Sequence, residues 1–249
     1  MKIAIAVTSI SVVFLMFACQ TNEENITPNS ATQSTSNGVI ASAKPSSQEI
    51  YDAFVRLALK NSAGTQAMTI RKWLSTKAQI KIYWDGGSTT ALLTGLDKIM
   101  ADMNSLNKNN KLIRTTVVTE ADIIINRVDI ATHNAKYASY QVTNTTVQGN
   151  TFTLWSNTGI TKAVIWLSPT TPSTLQIGVL RHELTHALGI GHTENTKSLM
   201  VAVMSSANYD FNTFSVLDQR VLQILGDSRV KQGMNEANTS TVIKEYAAK

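Results

Sequence analysis

Cysteine is nearly absent: Cys19 stands alone among 249 residues, so no disulfide can staple this fold. Long apolar runs are missing as well. Residues 3–17 are apolar but broken by Thr8, Ser9 and Ser11, and they are too short for a stable membrane span. Basic clusters are missing too. The formal charge is +5 and falls to +4 once Lys2 leaves with residues 1–18. Lys and Arg are scattered, with no run and no interleaved aromatics, so nucleic acid is not an expected partner. No segment repeats another. What is present is 43% hydrophobic residues, enough for one sizeable core in a chain of this length.

Histidine is scarce, and its placing is informative. Three of the four histidines lie in one stretch, HELTHALGIGH at residues 182–192. The pattern is HExxHxxGxxH. The helical repeat puts His182 and His186 on one face, one turn apart. Two neutral imidazoles so placed can bind one Zn²⁺ at about 2.0–2.1 Å each. A third ligand on the same line could not complete a tetrahedron. Gly189 accepts the left-handed backbone that ends a helix, so the chain can turn and bring His192 in from another direction. Three protein ligands leave one position for water, which marks a catalytic rather than a structural zinc. Glu183, beside the first ligand, faces the metal's open side as general base. The expected chemistry is hydrolysis of a peptide bond by metal-activated water. The alternative is a protein that binds through this domain without cutting.

These residues resemble the active-site signature of the metzincin clan of metallopeptidases. Residues 193–200, TENTKSLM, look like the matrixin-type passage from third ligand to Met-turn. The resemblance implies that Met200 forms an apolar floor under the histidines, with Met204 as runner-up. Residues 214–218, FSVLD, through Leu225 and Gly226 resemble the last helix of the matrixin catalytic domain. Residues 121–125, ADIII, resemble one of its strands. The resemblance covers roughly residues 75–227. It implies an α+β, zincin-like metallopeptidase domain: a twisted, mostly parallel sheet with an active-site helix and a small C-terminal lobe. It also implies one catalytic zinc and an extended protein or peptide substrate paired to an edge strand, with residues 151–155 as the candidate edge. There are departures. No PRCGxPD-like cysteine switch exists, and no tyrosine follows Met200 by two residues; Tyr209 is a distant substitute. His133, alone, cannot build a second zinc site. Calcium is a family analogy that no acidic loop of suitable spacing supports.

The N-terminus indicates a destination. A short positive start, an apolar stretch and a small residue, Ala18, read as a secretory signal over residues 1–18. MFAC at residues 16–19 resembles a bacterial lipobox, which implies lipid attachment at Cys19 and a membrane partner. The expected location is the bacterial cell envelope, on the outer membrane and exposed at its surface; ordinary cleavage and secretion is the alternative. QTNEE at residues 20–24 loosely resembles the acidic export tags of some surface lipoproteins.

Texture divides the rest. Residues 19–45 are rich in Ser, Thr and Asn and read as a flexible tether. Ser46 and Glu49 form a capping box that opens a helix with Ile50, Phe54 and Leu57 on one face. Residues 46–75 are an accessory helix or a pro-segment, residues 76–227 the catalytic domain, and residues 228–249 a tail. Strands are expected at 79–84, 112–118, 122–128, 151–155 and 163–167. A helix with Leu92, Leu96, Ile99, Met103 and Leu106 on its stripe lies between the first two. Residues 129–150 are polar and give no clear pattern. The active-site helix starts at Thr171-Pro172 or at Ser173 with Gln176. Ser215 and Asp218 can cap the last family helix. The chain is expected to be a monomer.

Overall fold

A computed structural model describes residues 13–20, 44–61, 64–74, 76–203 and 213–249, the first of these by its backbone alone. Most of residues 1–18 and 19–45, read from the sequence as a signal and a tether, lies outside the described residues, as do Met204 and Tyr209.

The chain forms β1 (Val13–Gln20), α1 (Ser47–Ala58), β2 (Gln79–Asp85), α2 (Thr90–Leu106) and β3 (Lys111–Arg114). A single 3₁₀ turn follows, then β4 (Ile123–Asn126), α3 (Ile130–Lys136), β5 (Val147–Ser156), β6 (Gly159–Leu167) and α4 (Gln176–Ala187). The last elements are α5 (Val216–Leu225) and α6 (Glu236–Ala247). The sheet order is β1-β5-β6-β4-β2-β3. The four strands β6, β4, β2 and β3 run parallel, while β5 is antiparallel to β6 and β1 antiparallel to β5. The fold is therefore α+β with a mostly parallel sheet, as the sequence implies. Among the described residues, no helix is long and apolar enough to cross a membrane.

The alternation at Ile80 and Ile82 buries both side chains on one face of the sheet. On that face they meet the α2 stripe, where Leu96, Ile99 and Met103 are fully covered, and the α4 residues Val179, Leu180 and Leu184. The α1 face of Ile50, Phe54 and Leu57 joins the same core. On the opposite face Val142, Val147, Phe152 and Trp166 make a smaller cluster.

Both capping boxes form. Ser46 accepts from the Glu49 amide and Glu49 accepts from the Ser46 amide; Ser215 and Asp218 do the same at α5. The start of α4 differs from expectation. Leu175, already helical in backbone, precedes Gln176, and no side chain caps the helix. The amides of Leu175 and Gln176 instead donate to Pro172 O in a tight turn, so the capping demand is met by backbone.

Helix α1 and the segment after it are tied to α5 and α6. α1 packs on both α5 and α6. Ser47 Oγ donates to Ala247 O at 2.8 Å, and the Gly233 amide donates to Ile70 O at 2.9 Å. Lys72 Nζ donates to Leu225 O at 2.8 Å and Val230 O at 2.7 Å, closing the turn after α5. Trp73 Nε1 donates to Ala187 O at 2.8 Å, so the stretch after α1 satisfies a carbonyl that the end of α4 would leave open.

Candidate metal centre

Helix α4 carries His182, Glu183 and His186, all three fully buried. The helix stops at Gly189, whose φ is +98°; a β-carbon there would lie 2.1 Å from Arg71 O. Only glycine permits that turn and that close approach. The chain then reverses, and the Gly191 amide donates to Leu57 O of α1 at 2.7 Å. This fixes the approach of His192, which is 6% exposed. Arg56 of α1 also pairs with Glu194 at 2.7 Å, holding the far side of the same loop.

The three rings meet. The Nε2 atoms lie 2.8 Å (182–186), 3.0 Å (186–192) and 3.2 Å (182–192) apart. His182 Nδ1 lies 2.8 Å from Leu199 O, and His186 Nδ1 lies 2.7 Å from Ile190 O. A carbonyl oxygen only accepts, so both rings carry their proton on Nδ1 and turn Nε2 lone pairs inward. Burial keeps the rings neutral: His182 is pushed down to about 3 and His192 to about 4. His186 is held well below its ordinary value by burial, by its two neighbours and by the Arg71 guanidinium. Lone pairs facing one another this closely are repulsive unless a cation sits among them. A tetrahedral ion with bonds of about 2.0–2.1 Å would need nitrogens about 3.3 Å apart, close to what the cluster offers. Among the described residues it is the one grouping of histidine, cysteine and carboxylate side chains suited to a metal.

Glu183 does not turn toward the imidazoles' hydrogen-bonding atoms. Its Oε2 accepts from Thr151 Oγ1 of β5 at 2.6 Å. Burial pushes the carboxyl up to about 8, against the Thr151 hydrogen bond that lowers it. Gly149, also on β5, leaves the room for this side chain: a β-carbon there would fall 2.6 Å from Glu183 Oε1.

Met200 is 1% exposed and lies in the turn that follows the third histidine. That turn is anchored by α5. Asp218 accepts from Ser198 Oγ at 2.5 Å and from the Leu199 amide at 3.0 Å, and Ser198 Oγ accepts from the Met200 amide at 3.0 Å. A relay thus runs from the α5 carboxylate through the turn to Leu199 O and the His182 ring.

The remaining sequence candidates lie elsewhere. Cys19 falls in β1, opposite Gly149, with only its backbone described. His133 is buried away from the cluster, with Nδ1 2.9 Å from Asn126 Oδ1 and Nε2 2.9 Å from Tyr140 O. Thr151, Gly149, Leu57 and Asp218 are the site residues that motif spacing does not mark. Of these, Asp218 has a sequence signal as half of a capping box, and Gly149 has one as a glycine inside a strand.

Two expectations follow. Asp218→Asn removes one acceptor from the relay, loosens the turn that carries Leu199 O and lowers metal affinity about 10–100-fold, read by competition against a chelator. Acidification unfolds the metal-free protein. His182 and His192 have folded values near 3–4 against about 6.5 unfolded, and His186 is held well below its ordinary value, so below pH 6.5 the unfolded chain binds the extra protons. Glu183 works in the opposite sense between its ordinary value of 4.5 and about 8, but it is one proton against three. Stability therefore falls from pH 6.5 to 4.5 by about 1.4 kcal/mol per pH unit for each net proton, measured by urea melts.

No curated protein matches the sequence. The chain is similar in structure to the archaemetzincin of Methanopyrus kandleri, at 13% identity and a TM-score of 0.33, over 70% of this chain and 97% of that one. It is also similar to high choriolytic enzyme 1, a hatching-enzyme zinc-protease from the medaka fish Oryzias latipes, at 13% identity and a TM-score of 0.30, over 72% and 94%. A family model matches residues 47–245, taking in α1, the three histidines and most of α6, and the chain therefore belongs to the family described as "Protein of unknown function (DUF2927)".

Proposed function

We propose that this chain is a zinc-dependent endopeptidase of matrixin-like type. The observation that carries the reading is the convergence of three neutral imidazoles, two with their protons spent on backbone carbonyls, beside a buried carboxylate. His182, His186 and His192 would hold the ion. Bound zinc supplies an acidified water and polarises the scissile carbonyl. Glu183 takes the water's proton and returns it to the leaving amine. Met200 underlies the histidines as an apolar floor.

Substrate is a protein or peptide held extended along β5. Support comes from β1, which already pairs there in antiparallel register from Val13 opposite Trp155 to Cys19 opposite Gly149. In the sheet β5 lies between β1 and β6, so a substrate would take the place of β1, whose residues 13–18 fall in the segment read as a cleaved signal. Residues 46–75 act as an integral part of the catalytic unit and not as a removable pro-segment. The burial of Ile50, Phe54 and Leu57, and the bond from Gly191 to Leu57 O, support this. The enzyme is tethered to the bacterial envelope through Cys19, a reading that rests on the MFAC sequence at residues 16–19.

Metal content and casein cleavage of the purified protein, with and without a chelator, test the enzymatic reading. One zinc per chain is expected. Glu183→Ala should keep the zinc and lose cleavage by about 10²–10⁴-fold. Zinc bound by wild type with no cleavage of any peptide would turn the reading to a binding protein. Fractionation of cells making Cys19→Ser tests the tether: release from membranes is expected, and unchanged retention refutes it.

A further inference from the structure

A general base needs one oxygen free for the proton and a reason for the other to stay put. Glu183 has both, and both come from β5. Thr151, fully buried, places its Oγ1 2.6 Å from Oε2 and 3.0 Å from the Glu183 carbonyl oxygen. The hydroxyl has one proton, and the shorter contact goes to the carboxylate. Oε1 is different. It is buried without a hydrogen-bond partner among the described residues, in the space that Gly149 leaves by having no side chain. Such an oxygen is costly to bury and unusual unless something is to meet it there. Two residues apart on one strand, Gly149 and Thr151 face the same side and treat the two carboxylate oxygens differently.

We propose that Thr151 is a positioning residue for Glu183: its hydroxyl clamps Oε2, so that Oε1, in the gap at Gly149, is the oxygen that handles the proton. This deepens the peptidase reading and rests on it. In the balanced reaction the O–H bond of water breaks and its proton goes to Oε1, while the water oxygen bonds to the carbonyl carbon and the C=O π pair moves onto the carbonyl oxygen, to return when the C–N bond breaks. The C–N bond then breaks and the same proton leaves Oε1 for the amine nitrogen. Thr151 exchanges no proton in this scheme. Its part is to stop the carboxylate from rotating between the two steps, so the oxygen that accepts is the oxygen that donates. The strand that would take substrate thereby also sets the base, so substrate seating and base alignment share one element.

Thr151→Val keeps the shape and removes the donor; Thr151→Ser keeps the donor and removes a methyl. Zinc content, kcat, KM and a crystal structure are compared for wild type and both variants, with Glu183→Ala as baseline. Thr151→Val should retain zinc and KM while kcat falls about 100-fold, the scale of a misplaced catalytic group. Its crystal structure should show the Glu183 side chain away from β5. Thr151→Ser should restore kcat to within about threefold of wild type with Glu183 in place. A wild-type kcat in Thr151→Val, an equal fall in both variants, or an unmoved Glu183 in the Thr151→Val crystal would each overturn the proposal. If wild type holds zinc but cuts nothing, the peptidase reading fails separately, and the position of Glu183 in the two crystals still decides the clamp.

Discussion

The structure depends on aiming three imidazoles at one point without letting them take up protons. Burial alone does half of this, by making the imidazolium unfavourable. The other half is done by backbone carbonyls, Leu199 O and Ile190 O, which take the Nδ1 protons and fix the tautomers. Each carbonyl must itself be held. Ile190 O is placed by the left-handed turn at Gly189, and Leu199 O by the bonds of the Leu199 amide to Asp218 and of the Met200 amide to Ser198 Oγ, which Asp218 holds in turn. The turn before His192 thus mounts one of these carbonyls, and the segment after it mounts the other.

The same requirement explains why α1 belongs to the site although the histidines lie on other segments. A loop that returns to a buried cluster brings amides that water cannot reach. Leu57 O answers one of them, at Gly191. The Arg56–Glu194 pair holds the loop's outer side, where Glu194 is exposed and the pair itself contributes little stability. Its influence on His192 is electrostatic, with Arg56 lowering the tendency of the ring to take a proton.

Much of this was legible in the sequence, for physical reasons. Period-2 alternation marked β2, the 3.6-residue stripe marked α2, and a motif with fixed spacing marked the three histidines and the glycine turn. Both capping boxes were written in residue types. The stretch 129–150 was not legible. Its polar texture hides α3, although Asp129 caps that helix through the Thr132 amide. It also hides the first turn of β5, because Gln148, Gly149 and Asn150 break the apolar alternation. They break it because the strand passes a carboxylate there: a side chain at 149 would collide with Glu183. The pattern failed at the site, where function overrides packing. The role of Thr151 was illegible for a related reason, since its partner is 32 residues away in sequence and no spacing rule joins a strand to the next-but-one element.

The packing of α1 against α5 and α6 has a consequence for how the molecule is assembled. Helix α1 emerges early in synthesis, but its covering helices begin only at residues 216 and 236. The carbonyl of Leu57 waits for Gly191, and the hydroxyl of Ser47 waits for Ala247, 200 residues later. Closing loops of that length is slow, and this one cannot start before residue 247 has been made. The pocket for the ion therefore matures last. A growing chain cannot complete the cover of α1, on which the His192 loop rests, until α5 and α6 have both been made.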